Sequence, residues 1–504
     1  MKSKIYLIII LTLGVIITSV TSCTDLDEEL FSQVESKDYG KTADEIETIV
    51  GGAYSSLRGF SDDISISYPT CEYVFFLSEC TSDEACIPTR GTDWYDGGRY
   101  QEAQKHTWTA DNAMILSAWR YCFQGLAKVN AIIYQVNQSE LTEDEKFVIN
   151  AELRGIRAYY YYLLLDMFGD VPVVTDFEDK ELPAKSSRQE VFDFVESELL
   201  EIRDVLPSEV IYGRFTQNVA NTLLARLYLN AEVYTGNPRW QDCIDACEKV
   251  SGYSLEPDYF TNFLTENQVS REVIFAIPYD SEAGTVGNYL HSMTFHYKQP
   301  YAFSPTGDYP WCGNGICGQP GVYSSFDDAD RRKDAMLEGE QINLATGSVI
   351  NMDNGEPLIY TEEIENFENA KQNEGVRLFK YEVKAGESWE RDHDWVVMRY
   401  AEVLMMQAEC YVRMGTPDLA RPFIEPIRER AGMDTPETIT LDFLNDEWLR
   451  EFIFEGHRRT HNIRFGDFFE PWWEKGETPR YREVFPIPQS ELDKNKNLVQ
   501  NPNY

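Results

Sequence analysis

The chain has 504 residues, 43% hydrophobic and 26% charged, a composition that excludes general disorder. Lys and Arg total 45 against 85 Asp and Glu, a formal charge of −40. Such a surface repels phosphate backbones and anionic lipid headgroups, so no nucleic acid is expected as partner and no basic patch docks the chain on a membrane.

In chain order, the first segment reads as an address. Lys2 and Lys4 precede an apolar run from Ile5 to Val20, too short for a spanning helix with flanks. It ends in Val20-Thr21-Ser22-Cys23, similar to a bacterial lipoprotein cleavage site, and an acidic tract from Thr24 to Leu30 follows. Residues 1–22 are therefore expected to be a signal peptide and Cys23 a lipid anchor. More than one acyl chain on Cys23 would hold the protein stably on a membrane. The rest, 23–504, is expected to form a single domain.

Helices are predicted over 41–60, 111–137, 143–169, 188–206, 216–235, 239–250, 395–414, 417–431 and 441–464. The clearest stripe is Val219, Leu223 and Leu227 with Ala220, Leu224 and Tyr228. Gly236-Asn237-Pro238 stops it, and a second helix follows from Trp240. The same plan recurs around Val403 to Ile427 and, with a longer connector, from Ala151 to Val205. Helix pairs of this kind resemble tetratricopeptide repeats, although they are not contiguous. The helical scaffold thus covers about 41–60, 111–250 and 395–465. Residues 61–110 and 252–394 resist helix assignment and are expected to be irregular, with strand-like pieces such as Val273 to Ile277. Stretches that long are usually functional or carry small structure of their own.

Ten cysteines less Cys23 leave an odd number. Cys71, Cys80 and Cys86 share one irregular region, and Cys312 and Cys317 another; either group could close a small loop covalently. No CxxC and no His pair at ligand spacing points to a metal, and none is expected. Gly313 to Gly318 spells GxGxxG but neither follows a clear strand nor opens a helix, so no dinucleotide or other cofactor is expected. His457 and His461, flanking Arg458 and Arg459, read as structural. Arg399, Glu402, Met406 and Glu409 fall on one helical face, and Arg450, Glu451, Glu455 and Arg458 on another. These sets could do acid–base work, but an ion-pair network between helices is the expected reading.

The aromatic clusters carry more information. Trp94-Tyr95-Asp96, with Arg90 and Asp93, lies in the first irregular region. Tyr289, Phe295, Tyr297, Tyr301, Phe303, Tyr309 and Trp311 crowd the second. A flat indole or phenol covers the C–H face of a sugar ring, while nearby Asp, Asn and Arg bond its hydroxyls.

Several motifs in order then resemble one family. They include Trp119-Arg120-Tyr121, Ala151-Glu152-Leu153-Arg154-Gly155-Ile156-Arg157-Ala158-Tyr159-Tyr160 and Phe168-Gly169-Asp170-Val171-Pro172. Further on come Met398-Arg399-Tyr400-Ala401-Glu402, Ile427-Arg428-Glu429-Arg430-Ala431-Gly432, Phe454-Glu455-Gly456-His457-Arg458-Arg459 and the tail Gln500-Asn501-Pro502-Asn503-Tyr504. Over nearly its full length the chain resembles the SusD/RagB family of outer-membrane glycan-binding lipoproteins. The resemblance implies a mainly α protein with four tetratricopeptide-like helix pairs, long irregular loops and small β pieces. It implies a non-enzymatic lid on a SusC-like TonB-dependent transporter, at the cell surface, handing over a glycan ligand. Peptide or glycopeptide cargo is the alternative, and glycoside hydrolysis a more distant one. Family ligand aromatics fall in the matching loops, which makes Arg90, Trp94, Tyr297 and Trp311 candidate contacts. Tyr95, Asp96 and Tyr289 complete the expected ligand set.

Overall fold

A computed structural model describes residues 42–59, 72–280, 290–308, 311–384 and 392–504. The expected signal peptide, Cys23, Cys71, Tyr289 and Tyr309 lie outside the described residues. The protein is mainly helical. Its scaffold is α1 (Ala43–Ser56), α2 (Glu72–Cys80), α3 (Ala113–Gln138), α4 (Glu143–Phe168), α5 (Arg188–Arg203), α6 (Gln217–Leu229), α7 (Trp240–Cys247), α8 (Tyr400–Arg413), α9 (Arg421–Ala431), α10 (Leu441–Phe452) and α11 (Arg458–Phe465).

Local chemistry sets the starts. Thr142 with Glu145, and Ser187 with Glu190, form capping boxes that satisfy the first amides of α4 and α5. Burial sets the packing. From Ala151 to Phe168 almost every side chain of α4 is buried, including four consecutive tyrosines, so this helix is the centre of the scaffold. The Tyr160 hydroxyl meets Ser56 Oγ at 2.8 Å and Tyr161 donates to the Val174 carbonyl at 3.0 Å, which meets the cost of burying them. Four sequential pairs build the frame: α3 with α4, α5 with α6, α8 with α9, and α10 with α11. Helix α7 packs between α6 and α8, and α11 returns to α2, which rests on α3. One apolar core runs through all of it, from Ile46 to Ile487.

Three expectations about elements need correction. Residues 395–399 are a buried strand, not the first turn of a helix: Trp395–Arg399 pairs antiparallel with Val273–Ile277. An apolar, β-branched run has no polar face with which to declare its period, so helix and strand read alike. The predicted helix 441–464 is two helices, broken where Ile453 turns extended and Phe454 and Gly456 take positive φ. Residues 61–110 are not wholly irregular. They contain α2, where Val74, Phe75, Phe76 and Leu77 are buried in one continuous apolar stretch, and a short helix over Arg99–Gln104.

The charged sets are ion pairs, as expected, although not on the faces the spacing suggested. Arg399 ends the strand and bonds Glu272, Glu451 and Glu455 at 2.6–2.9 Å. Arg430 joins Glu272 at 2.6 Å, and Arg332 joins Asp330, Glu447 and Glu451 at 2.7–3.0 Å. Glu402 pairs instead with Arg226, and Glu409 with Arg413 and Arg464. His461 is buried and His457 half-buried, and the two rings stack 5.9 Å apart between centres. Burial and neighbouring guanidiniums hold both well below the usual imidazole range, so both are neutral.

Candidate functional site

The two aromatic-bearing loops meet. Strand Ala85–Cys86 pairs antiparallel with Cys317–Gly318, so the roots of both loops share one small ladder. Above it, residues 90–93 close a tight turn: the Arg90 amide donates to the Asp93 carbonyl at 3.0 Å and the Asp93 amide returns the bond at 3.2 Å. Trp94 and Asp96 then take positive φ, 61° and 41°, followed by Gly97 and Gly98. A tryptophan in the left-handed region is strained and persists only where surrounding contacts impose it.

Those contacts come from the other loop. Trp94 Nε1 donates to the Gly313 carbonyl at 2.6 Å. The amides of Gly313, Asn314 and Gly315 donate to Ser292, Phe295 and Met293, which lays this segment flat on its neighbour. A Cβ at Gly313 would stand 2.5 Å from the Trp311 ring, and one at Gly315 only 2.4 Å from the Trp94 ring. The glycines that spell a cofactor motif are therefore the bed on which two indoles rest. Tyr297 donates its hydroxyl to Asp93 and ties the 290–303 segment to the same turn. Burial, then the Asp93 carboxylate, push that phenol above its usual range.

The expected ligand residues divide by exposure. Tyr95 is 58% exposed and Trp311 53%, large values for rings of this size. Asp96 is exposed and lies 3.5 Å from Arg99. Tyr297 and Trp94 are half-buried, and Trp94 packs on Tyr100 with ring centres 5.8 Å apart. Trp94 is thus more a strut than an open platform.

Arg90, a candidate contact from the sequence, lies beneath the loop. It is 1% exposed, and its guanidinium donates to the carbonyls of Asn314 (3.0 Å), Glu374 (2.7 Å) and Lys371, and toward Cys317 Sγ at 3.5 Å. A group so enclosed holds the loop from beneath. Its neighbour Arg377 donates to Asn314 Oδ1 at 2.8 Å, so two buried cations hold one asparagine at φ 53°. Asp93 and Tyr301, left outside the expected ligand set, are also exposed on these two segments. Both stood in the aromatic clusters, but nothing in the pattern separated them from their buried neighbours. Among the described residues, no group of three or more His, Cys, Asp or Glu could hold a metal ion.

A helical scaffold whose surface site is carried by two cross-braced loops defines the class of protein. A model described as "SusD family" matches residues 271–504, and a second, "Starch-binding associating with outer membrane", matches residues 82–229; together they span more than half of the chain. The chain belongs to the SusD family. It is 27% identical to starch-binding protein SusD of Bacteroides thetaiotaomicron over 73% of this chain and 75% of that one. It is 25% identical to SusD-like protein P2 of Formosa agariphila over 98% and 99%. Surface glycan-binding protein A of B. thetaiotaomicron in complex with laminarihexaose has the same fold, at TM-score 0.75 and 22% identity over 92% of this chain and 100% of that one. A laminarin-binding SusD-like protein superimposes at 0.72 and 20% identity, over 92% and 100%.

Proposed function

We propose that this protein is a cell-surface lipoprotein that binds an oligo- or polysaccharide and hands it to a partner TonB-dependent outer-membrane transporter, without catalysis. The observation that carries this reading is the pair of exposed rings, Tyr95 and Trp311, on loops pinned from beneath by Arg90, Arg377 and the 313–315 segment. Rigid aromatic platforms cost little ordering entropy when a flat sugar face stacks on them. Asp93 and Asp96, both exposed beside the rings, would accept hydrogen bonds from sugar hydroxyls. Family membership supports the lid role, and the lipobox at Cys23 supports anchoring.

Protein lacking residues 1–23 should be retarded in native gels that contain the matching polysaccharide. Laminarin and starch are the first probes, because relatives are named for binding them. Tyr95→Ala and Trp311→Ala should each abolish most of the retardation while leaving thermal unfolding unchanged. Unchanged retardation in both variants would place the site elsewhere. Release of reducing ends by the purified protein would overturn the non-catalytic reading.

A further inference from the structure

The roots of the two site loops carry a feature that glycan binding does not use. Cys86 and Cys317 are direct cross-strand partners in the antiparallel ladder, both fully buried, with sulfurs 3.9 Å apart. Directly opposed residues in such a ladder have Cα atoms about 4.5–5.5 Å apart, inside the range that a disulfide spans. Room for the sulfur is built in: a Cβ at Gly375 would fall 2.4 Å from Cys317 Sγ. A small apolar cluster of Ile364, Phe367, Ala370 and Trp473 seals the pair.

We infer that Cys86 and Cys317 close a disulfide that staples the two ligand loops at their common root. The pairing runs between the two cysteine-bearing loop regions, not within either. Two protein thiols and one disulfide of the oxidant, a small-molecule or protein disulfide, become one protein disulfide and two oxidant thiols. The Cys317 thiolate attacks an oxidant sulfur and expels a thiolate, which takes the Cys86 proton. The Cys86 thiolate then attacks Cys317 Sγ and expels the second thiolate, which takes up the proton that Cys317 gave up. Burial alone would raise the Cys317 thiol, but the Cys86 S–H beside it, then Arg90 and Arg377, bring it down to about 6. These neighbours act once the ladder has formed, and there they favour Cys317 as the sulfur that carries the thiolate while burial raises Cys86. Both sulfurs are enclosed in the folded state, so closure belongs to folding, when the loops are still open to an oxidant. In the cell this requires an exported chain, which rests on the surface-lipoprotein reading above.

The test separates the two ideas. Protein beginning at Thr24, which retains every described residue, is refolded in a glutathione redox buffer, denatured without reductant and labelled with N-ethylmaleimide. Glutamyl endopeptidase cleavage after Glu84 parts Cys80 from Cys86, and fragment ions between Cys312 and Cys317 assign the partner. The expected result is one cross-linked peptide joining Cys86 to Cys317, two mass units lighter than the separate thiols. Full labelling of both, or linkage of either to Cys71, Cys80 or Cys312, would overturn the proposal. Cys86→Ser should unfold several degrees below the oxidised wild type and match the wild type held in reductant, because the staple closes a loop of more than 200 residues. The same labelling on full-length lipoprotein from the outer membrane then tests export: linkage on refolding but free thiols in the cell would fault the compartment, not the geometry.

Discussion

At the scale of single residues, the site depends on what lies beneath the exposed rings. Trp311→Ala or Tyr95→Ala removes a surface ring and leaves its supports in place. Each should cost about 1–2 kcal/mol of binding, roughly 5–30-fold in Kd by calorimetry. Arg90→Met is a different perturbation. It leaves the buried carbonyl of Asn314 without its donor, at about 1–3 kcal/mol, whereas the Glu374 carbonyl keeps Arg377 and the Lys371 carbonyl keeps the Glu374 amide. A fall in unfolding free energy of about 1–3 kcal/mol is expected in urea titrations. Gly315→Ala should displace the Trp94 indole, destabilise by about 1–3 kcal/mol, and shift the tryptophan fluorescence.

At the scale of elements, the junction of strand 395–399 with α9 and α10 is held by buried charge. Burial alone would raise Glu451, but Arg430, Arg399 and Arg332 together hold it down to about 2. A depressed carboxylate stabilises above the unfolded value of about 4.5, and that contribution is lost as pH falls toward 2. Glu79 behaves oppositely. Burial pushes it up to about 7, and Glu84 beside it is raised as well, so the folded state retains a proton at this pair. Glu79 Oε1 accepts from the Gly456 amide, and Glu84 accepts from the Phe454 amide, so the pair caps the break between α10 and α11. A raised carboxyl is most stabilising below about 4.5, and the contribution disappears as pH rises through about 7. Stability measured by urea midpoint should therefore decline from pH 5 to 7.5 through this pair, and Glu79→Gln should flatten that decline. Arg399→Met should cost about 3–5 kcal/mol, because it takes the shared buried cation from Glu272, Glu451 and Glu455 and leaves Arg430, Arg332 and Lys380 to balance three buried carboxylates.

At the scale of the whole molecule, charge selects among ligands before any contact forms. With a formal charge of −40, anionic polysaccharides are repelled over about one Debye length, roughly 8 Å at physiological salt. Neutral glucans should be retarded in gels at low ionic strength where sulfated or uronate-rich ones are not; preferential retardation of an anionic glycan would contradict this.

How much of this was legible follows from the range of the forces involved. Capping boxes, apolar stripes and glycine stops act within a few residues, so the helices from 113 to 247 and from 400 to 431 could be read from the chain alone. Motif order placed the chain in its family. Where an apolar run lacked a polar face, as at Trp395 to Arg399, strand and helix were indistinguishable until Val273–Ile277 supplied a partner. The site divides in the same way. Loop aromatics near residues 94 and 311 stood out in the sequence, but which rings face solvent was settled by partners more than 200 positions away. Trp94 is turned inward by Gly313, 219 residues on, and Arg90 is buried by Asn314, 224 residues on. Sequence by itself determined the scaffold, because local backbone and side-chain preferences are short-range. Only the tertiary structure decided which aromatic is platform and which is strut, because exposure is a property of what else has packed nearby.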